Sequence, residues 1–299
     1  MKQQIKSSLI LLLTATIWGV AFVAQSVGME YIGPFTFNAI RCVLGGLVLI
    51  PVILVLKKKK ETGAENQEKE DKKTLWAGGI ACGVILCIAS NLQQFGIMEA
   101  SVGKSGFFTA LYIVMIPVIG IFIGKRPGIK LWFCVALAVS GMDLLCMKDG
   151  SFTIERADIM LLLCALAFSF HILVVDYFSP KVDGVKMSCI QFFVCGVLSA
   201  VGMLFTETPD ISNIQAAWLP LLYAGLLSCG VGYTLQIVGQ KGINPVIASL
   251  IMSLESVISA LAGWVILGQV LSPKEILGCV LMFVAIIITQ IPIGNKKTD

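Results

Sequence analysis

The sequence predicts an all-α integral membrane protein: ten transmembrane helices, arranged as two inverted five-helix repeats with both termini cytoplasmic. Three observations carry that expectation. Apolar runs near 20 residues long recur from end to end, basic residues concentrate in alternate connections, and the second half of the chain repeats the first. Hydrophobic residues make up 57% of the 299 positions and charged residues 13%, and the mean hydropathy is +0.90. A soluble domain is about one-quarter charged, and an apolar run of about 20 residues spans a bilayer core as a helix.

The spans follow in order. The first, Ser8–Val27, is too long for a cleaved signal peptide, lacks a small-residue cleavage site and is followed closely by another span. The second, Pro34–Leu56, opens on a proline, where the missing N–H costs no helical hydrogen bond. Lys57–Lys73 is the only long connection and is almost wholly charged and polar, so it reads as a solvated cytoplasmic tether; its lysine run Lys57–Lys60 is also a candidate contact for anionic lipid. Thr74–Ile97, Ser101–Ile123 and Ile129–Met147 complete the first half, with Pro127 between the last two. The second half reads Ala157–Phe178, Gly184–Phe205, Ala216–Val238, Val246–Leu267 and Glu275–Ile291, punctuated by Pro180, Pro209, Pro245 and Pro273. The implied domains are a first repeat at 1–147, an external linker at 148–156, a second, inverted repeat at 157–293 and a cytoplasmic tail at 294–299.

Basic residues orient this arrangement. With a cytoplasmic N-terminus, the inner segments hold 17 of the 22 Lys and Arg, the outer segments hold Lys104, Lys148, Arg156 and Lys274, and the one left is Arg41, inside helix 2. That bias places both termini inside and requires an even number of spans.

A shift of 150 residues lays Leu11–Ala15 on Leu161–Ala165, Trp18 on Phe168, Arg41 on Gln191 and Gly46 on Gly196. A shift of 143 lays Leu92-Gln93 and Gly96 on Leu235-Gln236 and Gly239, and Tyr112 on Glu255; at 144, Gly124 meets Gly268. Each half has an odd number of spans, so the second enters the membrane upside down. Inverted repeats of this kind point to a transporter with a site near the bilayer midplane, where the repeats meet.

The helix 4 run Lys104-Ser105-Gly106-Phe107-Phe108-Thr109-Ala110-Leu111-Tyr112 through Pro117 resembles the drug/metabolite transporter superfamily, in its EamA-type branch of ten-helix carriers. So do Ser253-Leu254-Glu255-Ser256-Val257, Gly268 and Gly278. The resemblance covers the chain outside 57–73. It implies export or exchange of amino acids, related metabolites or drugs. Two departures limit it. The family's Gly-Glu-Arg after helix 9 reads Gly268-Gln269-Val270 here, and the proline that often follows the helix 9 glutamate is Ser256. No role for that Glu-Arg pair carries over.

Ionisable groups at bilayer depth are costly, so each is a functional candidate. Counting about 1.5 Å per residue puts Glu255 near midplane, as a proton carrier or partner of a cationic group, set against a carboxyl satisfied by neighbouring helices. Arg41, some 10 Å deep on the same count, is an anion clamp, a partner of Glu255, or a snorkelling anchor. Trp18 and Tyr112 are candidate cavity walls, with packing as the plain alternative. His171, the one histidine, is a proton relay or a packing residue that hydrogen-bonds. Gln93 and Gln191 rank above Asn38, Asn91 and Gln236 as path-lining amides, and Asp143 and Asp176 belong to helix ends. Gly79–Gly83 and Gly120–Gly124 carry the small-xxx-small spacing of close helix contacts.

The ten cysteines lie almost entirely in apolar runs without a CxxC pair, so they read as small packing residues, not disulfides or metal ligands. HExxH, GxSxG, DDxxD and a Walker A loop are absent, which argues against an intramembrane enzyme or an ATP-driven pump. The reading is a secondary transporter, exporter or exchanger, of a small metabolite such as an amino acid or amine. It works by alternating access in a bacterial cell membrane, with no cofactor or metal and no nucleic-acid partner. Protons are the candidate coupling ion and a second copy of the chain a candidate partner. The alternative is a non-transporting membrane scaffold or receptor.

Overall fold

A computed structural model describes residues 2–62, 71–124, 128–146, 155–268 and 272–290. Among them every regular element is helical: α1 (Lys2–Gly28), α2 (Pro34–Thr62), α3 (Lys72–Ile97), α4 (Val102–Ala110), α5 (Tyr112–Phe122), α6 (Ile129–Cys146), α7 (Arg156–Phe178), α8 (Gly184–Thr206), α9 (Ile211–Ala216) and α10 (Trp218–Leu222). A π-helical segment (Tyr223–Tyr233) follows, then α11 (Thr234–Gln240), α12 (Pro245–Met252), α13 (Leu254–Leu267) and α14 (Pro273–Gln290). Eight stretches among the described residues are long and apolar enough to cross a membrane; the apolar cores of α6 and α14, Ile129–Gly141 and Ile276–Ala285, are shorter. The polarity is that of a bilayer protein. Phe122 and Phe205 stand 85% and 84% exposed, while Arg41 and Glu255 are 2% and 3% exposed. Helices alone satisfy every backbone group internally, which is what hydrocarbon demands of a spanning segment.

Helix starts are fixed by side-chain caps, which occupy the otherwise unpaired N–H groups. Asp183 accepts from Val185 N and Lys186 N to start α8, and Asn244 accepts from Val246 N ahead of Pro245 in α12. The α2 start is capped from across the chain: Glu207 accepts from Phe35 N and Thr36 N, both at 2.8 Å, and from the Thr36 hydroxyl at 2.6 Å. At the start of α3, the Thr74 hydroxyl and then the Lys73 N–H hold the Asp71 carboxyl below its ordinary value. That cap therefore acts above the usual carboxylate range and is lost as pH falls through the lowered pKa.

The helices depart from the sequence expectation in three places. The fourth and ninth spans are each interrupted, at Leu111 and Ser253. Pro117 in α5 leaves the Ile113 carbonyl without its helical donor. The ninth span has no interior proline; instead the hydroxyls of Ser249, Ser253, Ser256 and Ser259 each donate to a carbonyl three residues back. Hydroxyls that engage helix carbonyls bend the helix. The eighth span, read as one α-helix over Ala216–Val238, runs Trp218–Gln240 after the short helix α9 and widens to π geometry over Tyr223–Tyr233. Part of the expected tether is helical as well: α2 runs on to Thr62, and Lys72 and Lys73 open α3. Residues 63–70 lie outside the described residues, as do Lys125, Arg126, Lys148, Gln269 and Val270.

Packing joins the two halves of the chain throughout. α2 packs on α8 and on the π segment, α3 on α7 and α8, α1 on α13 and α11, α4 on α13 and α7, and α6 on α14. Gly79 and Gly83 permit the α3–α8 approach. A Cβ on Gly83 would stand 2.6 Å from Val194 Cβ and 2.8 Å from the Gln191 carbonyl, and one on Gly79 would stand 2.6 Å from Ile190 Cβ. Gly124 plays a different part from the one its spacing suggests: its φ is +80°, and among the described residues no neighbouring atom lies within 4 Å of its Cβ position. It ends α5 instead of meeting another helix.

Gly83→Val should drive α3 off the α8 backbone. Overpacking of this kind costs about 1–3 kcal/mol. The melting temperature in detergent should fall by several degrees relative to the parent. Equal melting of Gly83→Val and the parent would contradict the close approach.

Candidate transport site

The helix breaks deliver the site. Tyr112 is the first residue of α5 and Glu255 lies in the first turn of α13, each immediately after its interruption. A carboxylate in a first turn faces the positive end of the helix dipole. The Tyr112 hydroxyl donates to Glu255 Oε1 at 3.0 Å. The two positions matched by the 143-residue shift are therefore in direct contact.

Around this pair lies a narrow cavity whose walls come from both halves. Trp18, Arg41, Gln93, Tyr112 and Glu255 all line it. Its volume is about 20 Å³, room for about one water molecule, so the helices are drawn together in this structure. Trp18 lies against Tyr233 with ring centroids 4.6 Å apart, and its indole N–H donates to the Ser228 carbonyl at 3.4 Å. Those two partners lie in the π segment, which brings backbone and ring together on one wall. π-helical turns inside α-helices are frequent at functional sites.

Arg41 and Glu255 share the cavity but do not pair, which departs from one of the readings given to Arg41. Among the described residues, the Arg41 guanidinium donates to Gln25 Oε1 at 2.7 Å and lies 5.7 Å from the Phe37 ring centroid. Its Nε has no hydrogen-bond partner. The cavity thus presents one guanidinium and one carboxyl group, each held by a neutral side chain.

His171 and Gln191 form a separate contact behind the wall. His171 Nε2 lies 3.0 Å from Gln191 Oε1. Gln191 also donates through its amide to Ser188 at 3.5 Å, so its oxygen is free to accept and the histidine proton belongs on Nε2. The His171 ring packs edge-on against Phe168 and Tyr233. Neither His171 nor Gln191 reaches the cavity surface; they touch it through Tyr233. Asn38 and Asn91 bond each other at 2.9 Å between α2 and α3 and do not line it either. Asp143 is exposed near the end of α6. Among the described residues no three His, Cys, Asp or Glu side chains converge as metal ligands.

Sequence reasoning missed several wall residues. Tyr233 is central, since it contacts Trp18, His171 and Phe192, yet its shifted partner in the first half is Ser90, which carries no ring to flag it. Phe168 was discoverable, because the 150-residue shift lays it on Trp18. Gln236, ranked below Gln191 as a path-lining amide, lines the cavity with Gln93, whereas Gln191 does not. Gln25 falls at the end of the first span, where a polar residue reads as a boundary.

The EamA-like transporter family model matches residues 5–147 and again 155–291. An uncharacterized transporter of Archaeoglobus fulgidus is 26% identical over 282 residues, covering 94% of this chain and 84% of that protein. The uncharacterized transporter YwfM of Bacillus subtilis is 24% identical over 307 residues, covering 97% and 96%. A solved crystal structure shares the fold with a TM-score of 0.76 at 18% identity, over 95% of this chain and 96% of that one. With a cavity enclosed by apolar helices and the family match running through both halves, the chain belongs to the EamA-like transporter family and is a multi-pass membrane transporter, not an enzyme.

Proposed function

We propose that the chain is a secondary exporter or exchanger of a small zwitterion of the amino-acid class, working by alternating access. The observation that carries this reading is the single cavity lined by one buried guanidinium, Arg41, and one buried carboxylate, Glu255, without an ion pair between them. A substrate ammonium on Glu255 and a substrate carboxylate on Arg41 would neutralise both charges at once. Isolated charges are expensive in a low-dielectric interior, and paired ones much less so. Trp18, Tyr233 and Phe168 offer an apolar wall to the substrate side chain. When the ammonium leaves, a proton on Glu255 restores neutrality, so proton entry and substrate exit would alternate on one group. A non-transporting scaffold gives no account of these unpaired buried charges.

Alternating access rests on ten spans in two inverted repeats, 1–147 and 157–293, with α6 and α14 counted as the fifth and tenth. The packing supports that symmetry. α3 on α7 is answered by α11 on α1, α3 on α8 by the π segment on α2, and α4 on α7 by α12 on α1. Residues related by a two-fold axis touch only on that axis, and Tyr112 and Glu255 touch. Discontinuous helices at a repeat interface are a common way to build a transport site.

The basic-residue bias places both termini and residues 57–73 in the cytoplasm. A cysteine introduced for Gln67 should react with an impermeant maleimide only after cells are permeabilised; labelling of intact cells would overturn the orientation.

Substrate class is tested by exchange of radiolabelled phenylalanine in proteoliposomes. Phenethylamine and 3-phenylpropanoate, which each lack one charge, should compete at least about tenfold more weakly than phenylalanine, since a hydrogen bond to a charged group is worth about 1.5–3 kcal/mol. Equal competition by either would remove the zwitterion reading. Glu255→Gln keeps the size and hydrogen bonding of the side chain, so it should fold yet lose flux driven by an imposed pH gradient. Parental flux at every pH would make Glu255 structural.

A further inference from the structure

Directly behind the cavity wall, Cys42, Cys195 and Cys229 meet from three helical segments, with Cys87 on α3 beside Cys195. Cys42 on α2 and Cys195 on α8 place their sulfurs 3.4 Å apart, and both are at most 1% exposed. Cys229, in the π segment, packs where Gly45 leaves space one turn along α2: a Cβ on Gly45 would stand 2.5 Å from Cys229 Cβ. The Arg41 guanidinium interacts electrostatically with all three thiols. Arg41 and Ser228 line the cavity, and Cys42 and Cys229 are the residues that follow them. Cysteine as a small packing residue accounts for burial. It does not account for two sulfurs in contact across α2 and α8 beside a buried cation.

We propose that Cys42 and Cys195 are a redox-sensitive thiol pair whose disulfide ties α2 to α8. The oxidant is a peroxide, small and neutral enough to enter the cavity. The nucleophile is the thiolate. The thiolate of one cysteine attacks a peroxide oxygen, the O–O bond breaks, and the departing hydroxide takes a proton to leave as water. The second sulfur attacks the resulting sulfenic acid; the S–O bond breaks, and the hydroxide with the second thiol proton leaves as another water. Two thiols and one hydrogen peroxide thus give one disulfide and two waters. The sulfurs close from 3.4 Å to a bond of about 2.05 Å, within reach of side-chain rotation and a small helix adjustment. α2 and α8 belong to the two separate family-model matches, so the bond staples the halves together. Arrest of transport by that staple rests on the alternating-access reading above; the cross-link itself does not.

The test treats the purified full-length protein with hydrogen peroxide, caps remaining thiols with N-ethylmaleimide, digests it and analyses the peptides by mass spectrometry. The expected product is the Cys42 and Cys195 peptides joined, two hydrogens lighter than their sum, absent after dithiothreitol and absent in Cys42→Ala. Cys82→Ala should leave it unchanged. Recovery of Cys42 and Cys195 as alkylated or overoxidised residues in the parent, or linkage of either chiefly to Cys229, would overturn the pair. In proteoliposomes, phenylalanine exchange should drop at least about tenfold on oxidation, and dithiothreitol should restore it. Unchanged exchange by cross-linked protein would overturn the arrest. Absence of any exchange before oxidation would count against the transport reading, and the mass measurement would still decide the disulfide.

Discussion

The Tyr112 hydroxyl donates to a carboxylate at Glu255 that is almost wholly buried, inside a bundle whose outer surface is apolar. Hydrocarbon offers that carboxylate no alternative partner, so the surrounding helices must be arranged to supply one. Much of the architecture follows from this. The carboxylate sits in the first turn of α13 because the ninth span is interrupted at Ser253. Tyr112 can face it because the fourth span is interrupted at Leu111. Two unbroken helices would turn their side chains through a regular repeat, with no helix terminus at the depth of the cavity.

The two interruptions reach one shape by different chemistry. In the fourth span, a proline removes a donor. In the ninth, four serine hydroxyls engage carbonyls three residues back, and each one spends a side chain on a backbone group that water cannot reach. The position where the family often has proline is Ser256 here, and its hydroxyl donates to the carbonyl of Ser253, the break residue itself. The departure from the family pattern therefore keeps the bend.

Much of the fold was legible because hydrocarbon imposes long-range regularity on sequence: span length, the absence of internal charge and the repeat all survive as patterns. The site was legible only in part. Glu255, Arg41, Trp18, Tyr112 and Gln93 stood out because charge, ring or amide is conspicuous at depth, and all five line one cavity. Pairing was not legible. Arg41 chooses Gln25, sixteen residues earlier, and no periodicity links the last turn of one span to the first turns of the next. The π segment was invisible for a related reason: an added residue per turn leaves the apolar pattern of Tyr223–Tyr233 intact while shifting which residues face inward.

For the exchange proposed above, separation of the two groups is the feature that suits the cavity. Had Arg41 and Glu255 paired, a substrate would have to break that ion pair before it could bind either group. Neutral partners avoid this. Gln25 and Tyr112 each give a single hydrogen bond, enough to hold the charged group in place, and each can be displaced by a charged substrate group that bonds more strongly. The Arg41 Nε that lacks a partner points the same way, since a guanidinium with capacity left over can accept a carboxylate without first releasing everything that holds it. A cavity volume of about 20 Å³ then means that binding must be accompanied by separation of the helices, and the hinge points are already present at Leu111 and Ser253, one residue and two residues from the groups that would hold the cargo.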